Sequence, residues 1–133
     1  MSTSDPPEPE PRRTDALGIR APAAFRIEHP PSRDGVSLLV LRGELDLAAA
    51  APLRAHVQTV DGAGLVMDLA DVTFLDSSAL RELLFARDQL EARHARLVLA
   101  NVPPGVQRLL RMTGTLTMFE LANSRSEALA RFQ

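Results

Sequence analysis

The chain has 133 residues, 45% of them hydrophobic and 24% charged, a composition that fits one globular domain and leaves little room for a second. The 15 basic and 17 acidic residues leave a net charge of −2, which argues against nucleic-acid binding and against a polybasic membrane-surface protein. Cysteine is absent, so disulfides, thiolate metal sites and a cysteine nucleophile are excluded.

No segment approaches the roughly 20 apolar residues of a membrane span. The opening MSTSDPPEPEPRRTD has no apolar stretch behind basic residues, so no secretory signal is expected and a cytoplasmic location is. Every basic residue is Arg, which together with abundant Ala points to a GC-rich coding genome rather than to a function. Seven of the 10 prolines precede position 32. Residues 1–22 are polar and Pro-rich, and they are expected to form a disordered tail. Residues 23–133 are expected to form the domain.

In chain order, Phe25 to Glu28 alternates apolar and charged residues and predicts a first strand, ended by Pro30 and Pro31. Arg33, Asp34 and Gly35 predict a turn before a second strand, Val36 to Leu41. Gly43 to Leu47 leads into a helix from Ala48 to Val60, with Asp46 as the expected N-cap. Pro52 is tolerable only in a first turn, which predicts a later helix start. Leu65 to Leu69 is a continuous apolar run, as in a buried parallel strand. Asp71 to Asp76 leads to Ser77 and Ser78, then to the strongest helix, Ala79 to about Arg93. Its buried stripe is Leu80, Leu83, Leu84 and Leu90, with Ala79 and Ala86, while Arg81 and Glu82 fall largely on the polar side. Leu97 to Ala100 predicts a strand and Val106 to Met112 a helix stopped by Gly114. Leu116 to Leu121 predicts a last strand, and Ser124 caps a final helix from Arg125 to Phe132. This order implies an α/β fold with a mostly parallel mixed sheet, an N-terminal hairpin and four helices.

Enzyme motifs are missing. The sequence has no GxxxxGK[ST] loop, no GxGxxG and no GxSxG. His29, His56 and His94 fall on separate elements and read as ordinary surface residues. No catalytic residue, cofactor or metal is expected. The feature that remains is Asp76, Ser77 and Ser78 ahead of an apolar helix. Asp or Ser there is routine capping chemistry. One cap suffices, however, which leaves Ser78 spare in the first turn. There the helix dipole and free N–H groups favour an anion such as phosphate. Ligands of parallel sheets gather at the carboxyl ends of the strands, and Asp46 and Asp76 to Ser78 both belong at that edge.

Three segments in order carry a family resemblance. They are Gly43-Glu-Leu-Asp-Leu47, Val66 to Leu80 with its Asp-Ser-Ser, and Val102 to Gly114. Together they resemble the STAS domain of bacterial anti-sigma-factor antagonists over about residues 24–132. Ala79 departs from the family, which usually has Gly there. The resemblance implies a binding module rather than an enzyme. Unphosphorylated, it would bind an anti-sigma factor serine kinase and free a sigma factor. Phosphorylation of Ser78 would dissociate the complex, and a PP2C-type phosphatase would reset it. The implied partner-binding set is Asp46, Asp76, Ser77, Ser78, Ala79 and Arg81, with Ser77 capping the helix. ATP and Mg²⁺ would belong to the kinase. The alternatives are a STAS accessory subunit of a lipid-transporting ABC system and a stressosome-like scaffold.

Overall fold

A computed structural model describes residues 25–133. The tail expected over residues 1–22 lies outside the described residues. The first strands are β1 (Arg26–Glu28) and β2 (Val36–Leu45), paired antiparallel with Ile27 opposite Leu41. The turn into β2 places Asp34 at φ 53° and Gly35 at φ 77°. Two successive left-handed residues are what a tight type I′ turn requires. Helix α1 (Leu47–Gln58) follows, then β3 (Gly64–Leu75), α2 (Ser77–Glu91) and β4 (Arg96–Ala100). Helix α3 (Pro104–Met112), β5 (Glu120–Ala122) and α4 (Arg125–Ala130) complete the described chain.

The sheet order is β1-β2-β3-β4-β5, with every pair after the first parallel. Strands added in one direction through right-handed crossovers put their connecting helices on one face. Accordingly Leu39, Leu41, Leu65, Met67, Leu69 and Leu99 pack with Leu53, Leu83, Leu90 and Leu110 of α1, α2 and α3. The opposite face is smaller. There Val36, Val66, Val98, Ala100 and Ala122 meet Ala128, Leu129 and Phe132. Truncating one of the fully buried leucines to alanine typically costs about 2–5 kcal/mol.

Four local expectations are corrected. Strand β2 does not stop at Leu41 but runs through Gly43 and Glu44 to Leu45. The apolar run from Leu65 and the segment after Asp71 are one 12-residue strand. Helix α1 starts at Leu47, so Pro52 lies inside it. The proline removes the bond to the Ala48 carbonyl; both residues are exposed, so that carbonyl is open to water. Finally, Leu116–Met118 is a 3-10 turn, and the last strand is the shorter β5.

Asp68 is a buried carboxylate on the α4 face of β3. It accepts from the Ala70 N–H at 3.0 Å, from the Asn101 amide at 3.1 Å and from Arg125 Nε at 3.0 Å. Burial pushes its carboxyl up, but these donors and the Arg125 charge outweigh it and hold the carboxyl below its ordinary range.

His29 and His56, separate in sequence, meet across the β1 end and α1 with Nδ1 atoms 3.0 Å apart. That corrects their reading as unconnected surface residues. The contact is a hydrogen bond only while at least one ring is neutral. Burial, then the neighbouring His56, lowers the His29 pKa from its ordinary 6.5. The folded state therefore binds protons less readily than the unfolded chain. Stability from this pair is complete above pH 6.5 and declines as pH falls below it. Urea unfolding is expected to show lower stability at about pH 5.5 than at about pH 7.5, with a smaller loss in His29→Gln. Equal losses in both proteins would remove the pair from the account.

The helix caps yield a second prediction. Asp76 caps α2, its Oδ1 accepting from the Ala79 N–H at 3.1 Å. Ser77, expected to cap, is instead the first helical residue. Asp76→Ala is expected to cost about 1 kcal/mol in chemical unfolding, and Ser77→Ala less than about 0.5 kcal/mol. The reverse ranking would contradict this cap.

Candidate functional site

The site is built by the pairing of β2 with β3. Leu45 and Leu75 are the last paired residues, and the Asp76 N–H donates to the Leu45 carbonyl at 3.1 Å. Adjacent strands thus end together, and each turns at once into a helix. Asp46 and Asp76 occupy equivalent N-cap positions on the two helices. Asp46 accepts from the Ala48 N–H at 3.0 Å. The two carboxylates, Ser77 and Ser78 therefore share one edge of the molecule.

The predicted residues divide by exposure. Ser77 and Arg81 are exposed, and Asp46, Asp76 and Ser78 are half-buried. Ser78 is the second residue of α2, and since Asp76 supplies the cap its hydroxyl is not needed for that role. Arg81 makes no ion pair among the described residues. Ala79 is 0% exposed, as its place in the apolar stripe implies; its methyl is packed in the core and cannot itself supply the partner contact that the resemblance implies. A methyl directed inward does not obstruct docking. Glu82, expected on the polar face, is buried at 7% exposure. It receives Arg54 of α1, with Nε 2.7 Å from Oε1.

Two apolar residues at this edge escaped sequence reasoning. Leu47, the first residue of α1, is 73% exposed, and Phe74, near the end of β3, is 51% exposed. Simple alternation cannot leave both Thr73 and Phe74 outside, yet the strand register explains it. Gly43 pairs with Val72 and Glu44 pairs with Phe74, so Thr73 is an inserted residue. A bulge of this kind re-aims the side chains beyond it. A cavity of about 300 Å³ opens beside Phe74, between Val72 to Leu75 and the start of α3 at Pro103, Gly105 and Val106. The edge therefore combines carboxylates, hydroxyls and exposed apolar surface, the usual mixture of a protein-binding patch.

Chemistry at the edge is limited to what these groups can do. No group of three or more His, Cys, Asp or Glu able to hold a metal occurs among the described residues. No described helix is long and apolar enough to cross a membrane. None of the three histidines is among the residues that build this edge.

Comparisons with known proteins agree with this architecture. The STAS domain profile matches residues 30–128. BtrV of Bordetella bronchiseptica, which carries the name anti-sigma factor antagonist, is 32% identical over 103 residues, covering 75% of this chain and 89% of BtrV. The crystal structure of an anti-sigma factor antagonist from Mycobacterium paratuberculosis superposes with a TM-score of 0.73 at 27% identity, over 84% of this chain and 96% of that one. The anti-sigma factor antagonist SpoIIAA in its unphosphorylated form gives a TM-score of 0.68 at 26% identity, over 82% and 96% of the two chains. Bacillus SpoIIAA in its phosphorylated form gives 0.65 at 25% identity, over 83% and 100%. The five-stranded mixed sheet with four helices is the fold these structures share, and the chain belongs to the STAS domain family.

Proposed function

We propose that this protein is an anti-sigma factor antagonist that works by partner switching in the cytoplasm. In its unphosphorylated form it binds an anti-sigma factor serine kinase, and the sigma factor is released. The kinase then transfers a phosphoryl group to Ser78. The Ser78 Oγ forms a bond to the γ-phosphorus of ATP, the bond to the ADP oxygen breaks, and the hydroxyl proton leaves to a base on the kinase. A PP2C-type phosphatase hydrolyses the phosphoserine and restores the binding form. This chain supplies the hydroxyl and the docking surface. The kinase supplies ATP, Mg²⁺ and catalysis.

The single observation that carries this reading is the spare hydroxyl. Asp76 caps α2, so Ser78 is left half-buried in the first turn with no capping duty. Leu47 and Phe74 provide exposed apolar area at the same edge. Both names and structures of the similar proteins point the same way. Phosphorylation adds about −1.5 to −2 charge at pH 7. Asp76 and Asp46 already make this edge negative, and a partner holding nucleotide phosphates against it would be repelled. Across a desolvated interface such repulsion costs several kcal/mol, and each ~1.4 kcal/mol is tenfold in affinity.

In a titration with the cognate kinase, Ser78→Ala is expected to bind within about threefold of the unphosphorylated protein. Ser78→Glu is expected to bind at least about tenfold more weakly. Equal affinities for all three would refute the switch. With kinase and ATP, mass spectrometry should find phosphate on Ser78, and phosphate on Ser77 alone would refute the site.

A further inference from the structure

A phosphate on Ser78 must be accommodated by the groups around it, and the role assigned here to Arg54 rests on the proposed modification of that serine. Ser78 and Glu82 are four residues apart on α2, so they lie on one face, one turn from each other. That face is turned towards α1, because Arg54 of α1 reaches Glu82. Its Nε lies 2.7 Å from Oε1 and its Nη2 3.4 Å from Oε2. The guanidinium carbon stands 3.8 Å from the centroid of the Phe85 ring, which fixes its plane. The Glu82 side chain is only 9% exposed, whereas that of Arg54 is 41% exposed. The pair therefore spans the seam from core to surface, one helical turn below the serine.

A buried carboxylate with a single cation is a costly way to join two helices. The rest of this seam uses Leu53, Val57, Leu83 and Ala86. The pair is better explained by what else the guanidinium can hold. It has five N–H donors, and Glu82 engages two of them. The remaining three bond no other residue among those described. The charged groups on the elements that meet at this edge are Asp46, which caps α1, and Arg54 of α1, Asp76, which caps α2, Arg81 and Glu82 of α2, and Glu44 at the end of β2. Asp71 of β3 is already engaged by Arg42.

We propose that Arg54 receives the phosphate of phosphorylated Ser78, sharing its guanidinium between that phosphate and Glu82 across the α1–α2 seam. Arg54 is thus a positioning residue for the off state. It draws the phosphate towards the seam and offsets the repulsion from Asp46, Asp76 and Glu82 that the unaided dianion would meet. Bidentate planar donors suit this sharing, which a lysine would not reproduce.

The test uses full-length protein with phosphoserine inserted at position 78 during synthesis, so it does not depend on any kinase. The second pKa of the phosphate is read by phosphorus NMR. Replacing Arg54 alone would strand the buried Glu82 charge, so the comparison is made on a Glu82→Gln background. Glu82→Gln with Arg54→Met is expected to titrate about 0.3 unit or more above Glu82→Gln alone. Glu82→Gln with Arg54→Lys is expected to fold and to lie between the two. Identical phosphate pKa values with and without Arg54 would overturn the proposal. So would a shift seen only on Arg81→Ala, which would assign the phosphate to the exposed neighbour instead.

Discussion

The molecule depends on the parallel pairing of β2 with β3. It is the longest pairing in the sheet, joining the 10 residues of β2 to the 12 of β3. The difference of two residues is absorbed by two register shifts, one after Val40 and one after Gly43. Each shift inserts a residue into β3, and each has a consequence. The first lies beside Asp68, whose carboxylate caps its own backbone two residues on and ties β3 to Asn101 and Arg125. The second turns Phe74 outward. Without the second, the period-two pattern would bury Phe74 and present Leu75. The pairing also ends both strands at one level, which puts two helix N-caps side by side.

Much of this was legible in the sequence because it is written in local chemistry. Apolar runs at Leu65 and Leu97 mark buried parallel strands, and the Leu80, Leu83 and Leu90 stripe marks α2. Asp46, Asp76 and Ser124 lie where caps belong, and all three accept a backbone N–H. What was not legible depends on registration between distant segments. No local pattern announces a bulge opposite Gly43, so nothing local marks Phe74 as exposed. Glu82 reads as polar surface because its partner is on another helix. Ser77 and Asp76 are both good caps, and only the backbone geometry chooses between them. Pro52 reads as a helix start because propensity dominates sequence reasoning, whereas tertiary packing of Leu53 and Val57 carries the helix past it. The histidine pair was likewise invisible, since 27 residues separate its members.

An all-arginine complement of cations shapes how the surface is held. Arg42 spans Glu28 of β1 and Asp71 of β3 across β2. Arg93 closes the loop before β3 by donating to the Val60 and Gly62 carbonyls. Arg96 and Arg131 converge on Glu120, and burial raises its carboxyl less than the two guanidinium groups lower it. Exposed pairs of this kind contribute little stability individually, at most about 1 kcal/mol. Their larger effect is to occupy cations. Among the described arginines close to the serine edge, Arg54 is committed on one side and Arg81 is uncommitted.

This distribution bears on how a single phosphate can act. The net charge of −2 is small, and one phosphoryl group changes it by a similar amount. Yet charge at large distance is screened within about 8 Å at physiological salt. A change in overall charge therefore cannot account for release of a partner. In the proposed switch, the effect would arise immediately around Ser78, where Asp46 and Asp76 are already negative and the apolar residues Leu47 and Phe74 would exclude water once covered. Low local dielectric strengthens every charge contact there. A group that is only moderately costly on the free protein becomes severely costly in the complex. In the proposed switch, the unbound, phosphorylated state then needs a way to keep the dianion at low cost in water; the role proposed for Arg54 is that its half-exposed guanidinium at the α1–α2 seam would provide it, and covering the same edge with partner surface would remove it.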